Sequence, residues 1–141
     1  LIPGFRKDGY LPDGIHLAEL DEIVNCFGTT QRRSKLMSRV RTWVGLARSI
    51  RARRLLLAGS FVTSKPDPTD VDAVVLLPDD FSELVDQGIH DALELSTMLI
   101  SRHPEEIFAA EDERDWYNWV DFFSRTRELD GRSKGIIEVK L

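Results

Sequence analysis

The chain has 141 residues, 42% of them hydrophobic and 30% charged, with a formal net charge of −5. This is the make-up of one ordinary globular domain; no apolar run nears the roughly 18 residues of a membrane span, and a single cysteine, Cys26, excludes an internal disulfide. The charge is laid down in blocks: residues 23–66 hold ten Lys or Arg and no Asp or Glu, while the remainder holds nine basic and twenty-four acidic residues.

Residues 1–16, with three Gly and two Pro, read as an irregular arm. Leu17, Leu20, Ile23 and Val24 predict a helix over 17–27 that Gly28 closes, with Cys26 as a small core residue. Thr29 or Thr30 caps a second helix. Its apolar stripe is Leu36, Val40, Trp43, Val44, Ala47 and Ile50, and its other face carries Arg32, Arg33, Lys35, Arg39, Arg41 and Arg48. The continuous apolar runs Arg54–Ala58 and Val71–Leu77 predict strands covered on both sides. Val85, Ile89, Ala92, Leu95 and Leu99 predict one long helix over 81–102, weakened at Gly88 and blocked by Pro104. A short strand over 106–110 follows. A helix then opens at Asp112 or Glu113, with Trp116, Trp119, Val120 and Phe123 as a core stripe rather than a base-stacking platform. Residues 129–133 read as a turn and 135–141 as a closing strand. The expected fold class is α+β: a mixed β-sheet packed by helices, one domain over 1–141 with an N-terminal helical pair.

The chemistry concentrates between the two middle strands. Asp70 and Asp72 stand at i, i+2, so on a strand they project side by side. Two carboxylates at the mouth of a buried strand repel each other and resist desolvation, and a divalent cation makes the pair favourable. The first strand ends in the turn-forming pair Gly59-Ser60. An isolated Asp-x-Asp also opens many solvated strands, so the weight falls on the combination. Elsewhere, Glu111, Asp112, Glu113 and Asp115 fit favourable charge at a helix N-terminus. His16, His90 and His103 have no spacing that suggests zinc or a catalytic triad. The basic segment Arg32–Arg54 could attract nucleic acid or a triphosphate, but a helix with one apolar and one charged face is the ordinary surface helix.

Ala58-Gly59-Ser60, a spacer and then Asp70-Val71-Asp72-Ala73 resemble the signature of the nucleotidyltransferase superfamily, the polymerase-β-like fold. With Leu11-Pro12-Asp13-Gly14-Ile15-His16 before it and Lys134-Gly135-Ile136 after it, the chain is similar to small bacterial domains of that superfamily. The resemblance implies a minimal nucleotidyltransferase-like fold. It implies that Gly59 lets a phosphate approach, and that Ser60 offers it a hydroxyl and a backbone N–H. Thr63 and Lys65 would lie beside that phosphate, although many transferring members have an arginine where Thr63 stands. Asp70 and Asp72 would hold Mg²⁺, and a third carboxylate is expected from Glu106 or, second, Glu138. The implied activity is Mg²⁺-dependent transfer of a nucleoside monophosphate from a nucleoside triphosphate to an acceptor. The alternative is a non-catalytic interaction module of the same fold, such as one half of a toxin–antitoxin or defence pair. Expected partners are a nucleoside triphosphate and a second copy or partner protein that closes over a shallow cleft. The lone cysteine and the lack of a visible leader fit a cytoplasmic setting.

Overall fold

The computed structural model describes residues 1–101, 106–126 and 131–141. In chain order the elements are β1 (Ile15–Ala18), α1 (Leu20–Phe27), α2 (Gln31–Ser49), β2 (Arg54–Ala58), β3 (Asp72–Leu76), α3 (Phe81–Asp86), α4 (His90–Ser101), β4 (Glu106–Ala110), α5 (Glu113–Phe123) and β5 (Ile136–Val139). A short 3-10 turn, Ser60–Val62, lies between β2 and β3. The strands form one open, mixed sheet in the order β1-β5-β2-β3-β4. The β2–β3 and β2–β5 pairs are antiparallel, and the β1–β5 and β3–β4 pairs are parallel. The protein is thus α+β, with helices packed on a mixed sheet.

Both faces of the sheet are covered, which is why β2 and β3 are apolar without alternation. Leu55, Leu57, Ala73 and Val75 point to the face covered by α2, whose buried stripe includes Leu36, Val40, Trp43 and Ala47. Leu56, Ala58, Val74 and Leu76 point to the other face and meet Trp116 and Phe123 of α5. Trp119 stacks on Phe108 with ring centroids 4.7 Å apart, so the aromatic stripe of α5 is core, as its spacing suggests. No helix among the described residues is long and apolar enough to cross a membrane.

Four expectations change. The N-terminal arm is not wholly irregular: Ile15 and His16 belong to β1, and Leu17–Ala18 is extended rather than helical. Ala18 is buried there, and α1 starts only after Glu19, which forms a capping box with Glu22. The long helix over 81–102 is two helices, because Gly88 adopts φ +74 between α3 and α4. Cys26 faces solvent, because Ile23 and Phe27 define the buried side of α1; partial burial nonetheless raises its thiol pKa. The fourth change is Arg33, placed by the sequence on the charged face of α2 but only 4% exposed. Arg102, His103 and Pro104, and the first residues of the expected 129–133 turn, lie outside the described residues.

Arg33 precedes Leu36, Met37 and Val40 by three, four and seven residues, so it lies on the inner face of its helix. Its guanidinium sits over the rings of Phe61 and Phe27, 5.5 and 6.0 Å from their centroids. Among the described residues it has no carboxylate partner. Instead Nη1 donates to the carbonyls of Phe61 (2.6 Å) and Phe27 (3.3 Å), Nε donates to that of Lys65 (3.0 Å), and Nη2 donates to those of Thr63 and Lys65. All five N–H groups of the fork are used. Burial pulls its pKa below the ordinary arginine value. Arg32 donates to the carbonyls of Pro68 and Thr69, each at 3.0 Å, and the Thr30 hydroxyl to that of Pro66 at 3.0 Å. The start of α2 is therefore a strap across the loop 61–69.

Replacing Arg33 leaves buried carbonyls unpaired, each costing about 1–3 kcal/mol. Arg33→Met is expected to lower unfolding free energy by about 3 kcal/mol, a drop in Tm on the order of 10 °C for a domain of this size. Arg33→Lys, with three donors and no planar fork, should recover less than half of it. Urea and thermal unfolding measure both; a shift of under about 2 °C for Arg33→Met would contradict the strap.

Candidate functional site

The site begins where β2 ends. Gly59 adopts φ 86 and ψ −174, a region essentially confined to glycine. A Cβ built there would lie 2.9 Å from Oδ2 of Asp70, 3.0 Å from Oδ2 of Asp72 and 3.2 Å from the Asp72 nitrogen. Both carboxylates thus close on the bare backbone of residue 59. Sheet register produces the convergence: Ala58 pairs with Asp72, so the end of β2 faces the start of β3. Asp72 is only 7% exposed.

A dense set of hydrogen bonds ties Asp70 to the turn. The Phe61 amide donates to the Asp70 carbonyl (2.9 Å), and the Ser60 amide to Oδ1 of Asp70 (3.2 Å). The Ser60 hydroxyl donates to the same Oδ1, and accepts from the amides of Thr69 (3.0 Å) and Asp70 (3.2 Å). One hydroxyl offers one proton and two lone pairs, so that of Ser60 is fully engaged. Ser60 here positions Asp70, whereas the resemblance gives it to a phosphate. Thr63 is likewise turned inward, its hydroxyl donating to the Ser60 carbonyl at 2.6 Å and accepting from the Lys65 amide at 3.3 Å. Lys65 is exposed at the edge of the opening.

These residues line one end of a cavity of about 800 Å³. The last turns of α5 and the residues just after it also line it: Asn118, Asp121, Phe122, Arg125 and Thr126. Tyr10 and Lys134 complete the lining, with the Lys134 ammonium 5.5 Å from the centroid of the Tyr10 ring. The sequence did not single out the α5 wall, because its residues stand between core positions and carry no motif. Lys134 could have been found, since it opens the Lys134-Gly135-Ile136 motif.

The two flanking motifs lie against each other. A Cβ on Gly135 would lie 2.0 Å from the Pro12 carbonyl oxygen, 2.8 Å from Cβ of Leu11 and 2.9 Å from Nε2 of His16. The Gly135 amide donates to the Leu11 carbonyl at 3.0 Å, and His16 Nε2 lies 2.6 Å from the Pro12 carbonyl oxygen. Parallel pairing of β1 with β5 continues the contact. Tyr10 in turn bridges to Thr63. The central motif lines the cavity, and the contact between the flanking two places Lys134, with Tyr10 just before the first of them, in its wall.

The two candidates for a third carboxylate separate. Glu106 is the register partner of Asp72 on the parallel neighbour β4, so the two share a sheet face; it is half-buried and does not line the cavity. Glu138 is taken by Arg54, which donates to both its oxygens at 3.0 and 2.7 Å and lies 4.6 Å from the Trp116 ring centroid. Arg54 is at the far end of β2 from Ala58, and the hydrogen bonds it donates to Glu138 raise its pKa. Glu138 is therefore a structural ion-pair partner. Among the described residues, His90, Asp91 and Glu94 bring ligand atoms within 4.8 Å of one another, but on the exposed start of α4, outside this cavity. The acidic run before α5 is capping charge, with Asp112 accepting from the Asp115 amide at 2.8 Å.

The chain matches the model of a family of unknown function, DUF6932, over residues 3–140, and it belongs to that family. No curated protein and no solved structure matches it. All three motifs fall within the matched span.

Gly59→Ala tests the convergence. It adds a methyl group where two carboxylate oxygens lie, and places alanine in a backbone region that costs it about 1–3 kcal/mol. The expected result is a loss of at least that much stability together with loss of divalent-cation binding, read by thermal unfolding and Mn²⁺ titration. Wild-type stability and cation affinity in Gly59→Ala would contradict the geometry.

Proposed function

We propose that the protein is a Mg²⁺-dependent nucleotidyltransferase that takes a nucleoside monophosphate from a nucleoside triphosphate. The observation that carries this reading is the meeting of the Asp70 and Asp72 carboxylates against Gly59. Their oxygens suit a hard cation that shares its shell with phosphate, so the residues fit Mg²⁺, which Asp70 and Asp72 would hold. When bound, the cation offsets charge on the phosphoryl oxygens as an acceptor hydroxyl attacks in line and pyrophosphate leaves. The chain's own part is to position and to bind. Ser60 and the backbone of the turn hold Asp70 in place, while Lys65 and Lys134 supply positive charge at the cavity for a triphosphate tail. The cavity is within the size range of small-molecule sites.

A second reading, a non-catalytic binding module of the same architecture, has one observation in its favour. Glu106, the first choice from the sequence for a third carboxylate, lies outside the cavity lining. A toxin–antitoxin or defence component would then use nucleotide binding, or the surface itself, without turnover.

Calorimetry with Mg²⁺ and nucleoside triphosphates tests the common ground. Metal-dependent binding is expected in the parent. In Asp70→Asn/Asp72→Asn it should weaken by more than the roughly 10–100-fold that loss of an outer-shell partner causes. Binding that ignores this change, or none in the parent, would overturn both nucleotide readings. Pyrophosphate release with an acceptor separates them: the transferase releases it and the module does not.

A further inference from the structure

The cavity is larger than a metal and a phosphate tail require, and its wall on α5 has a different chemistry from its acidic end. Phe122 is 66% exposed, unusual for a large aromatic ring, yet it is not loose. Trp119 and Phe123 hold it edge-on, with centroids 6.0 and 5.0 Å away and interplanar angles of 90° and 83°. A ring buttressed at its edge and open at the cavity is a stacking surface. Asn118 lies one turn earlier, at i−4, so the two side chains are neighbours with Cβ atoms about 5–6 Å apart. Its carboxamide makes no hydrogen bond among the described residues, although it lines the cavity. Thr126, on the same wall, is 7% exposed and its buried hydroxyl also has no partner there. The Thr126 hydroxyl is enclosed, but the exposed Asn118 carboxamide stands open to a ligand beside the aromatic face of Phe122.

We propose that the α5 wall is a nucleobase subsite in which Phe122 stacks on the base and the Asn118 carboxamide reads its edge, with adenine as the base taken. A carboxamide offers a donor and an acceptor side by side, the complement of the N6 amino group and N7 of adenine; guanine presents two acceptors there. Stacking supplies affinity for any base, and the amide supplies the choice among them. Phosphates would lie toward Lys65 and Asp70, and the base toward α5. This assignment rests on the triphosphate reading above and narrows it to adenine nucleotides.

The test is calorimetric titration of the full chain with Mg²⁺ and ATP, GTP, CTP or UTP, in the parent, Asn118→Ala and Phe122→Ala. Circular dichroism and a thermal melt establish that each variant is folded; both positions are exposed, so both should be. The parent should prefer ATP by about tenfold or more. Asn118→Ala should level that preference while keeping triphosphate binding. Phe122→Ala should weaken all four by roughly five- to a hundredfold. Equal binding of the four by the parent, a preference for another base, or a preference for ATP that survives Asn118→Ala would overturn the base assignment while leaving the triphosphate reading intact. No triphosphate binding in the parent would overturn both.

Discussion

Two carboxylates occupy the space that any side chain at residue 59 would need. Like charges brought this close repel each other, so such an arrangement has to be held. Antiparallel register holds one of them, since Asp72 opens β3 directly across from the last residue of β2. The turn holds the other, through bonds from Ser60 and Phe61 to both the backbone and the side chain of Asp70. The backbone conformation of Gly59 makes both possible, and everything proposed for the cavity follows from it.

The strap from α2 gives part of the basic block a structural role. Arg32, from the exposed side of the helix, and the buried Arg33 both satisfy carbonyls of the loop that links the turn to the two aspartates. A loop of irregular backbone has carbonyls that neither helix nor sheet can pair, and a buried one must find another donor. A guanidinium provides five from one side chain. Arg54 makes a comparable contribution on the opposite side of the sheet, fixed between Glu138 and Trp116. Three of the ten basic residues of the block, Arg32, Arg33 and Arg54, thus tie the chain to itself, while Lys35, Arg39 and Arg41 remain on the outer side of α2.

The sequence made much of this legible. Continuous apolar runs located β2 and β3 because both sheet faces are covered, and the 3.6-residue stripe located the core side of α2. The convergence of Asp70, Asp72 and Gly59-Ser60 was also readable, because alternate strand residues share a face and the spacer is short enough for the strands to pair. Register, by contrast, is a tertiary property. Nothing local in Ile15–Ala18 says that it pairs with β5, and this pairing turned an expected arm into an edge strand. The burial of Arg33 could have been read from its offset to Leu36 and Val40, but a charged residue was assigned outward by type. Glu106 ranks ahead of Glu138 as a strand carboxylate in the sequence, but only the position of Arg54 shows that Glu138 is taken. The α5 wall stayed hidden, since Asn118 and Phe122 come to line the same cavity as Asp70 only once the helix is laid across the sheet.

Anomalous diffraction from crystals soaked in Mn²⁺, a scatterer that accepts the same oxygen ligands as Mg²⁺, tests the central claim most directly. The account predicts a peak bound by carboxylate oxygens of Asp70 and Asp72 beside the Gly59 backbone. A cation found only at His90, Asp91 and Glu94 on the start of α4, or no cation beside the two aspartates at saturating Mn²⁺, would contradict it.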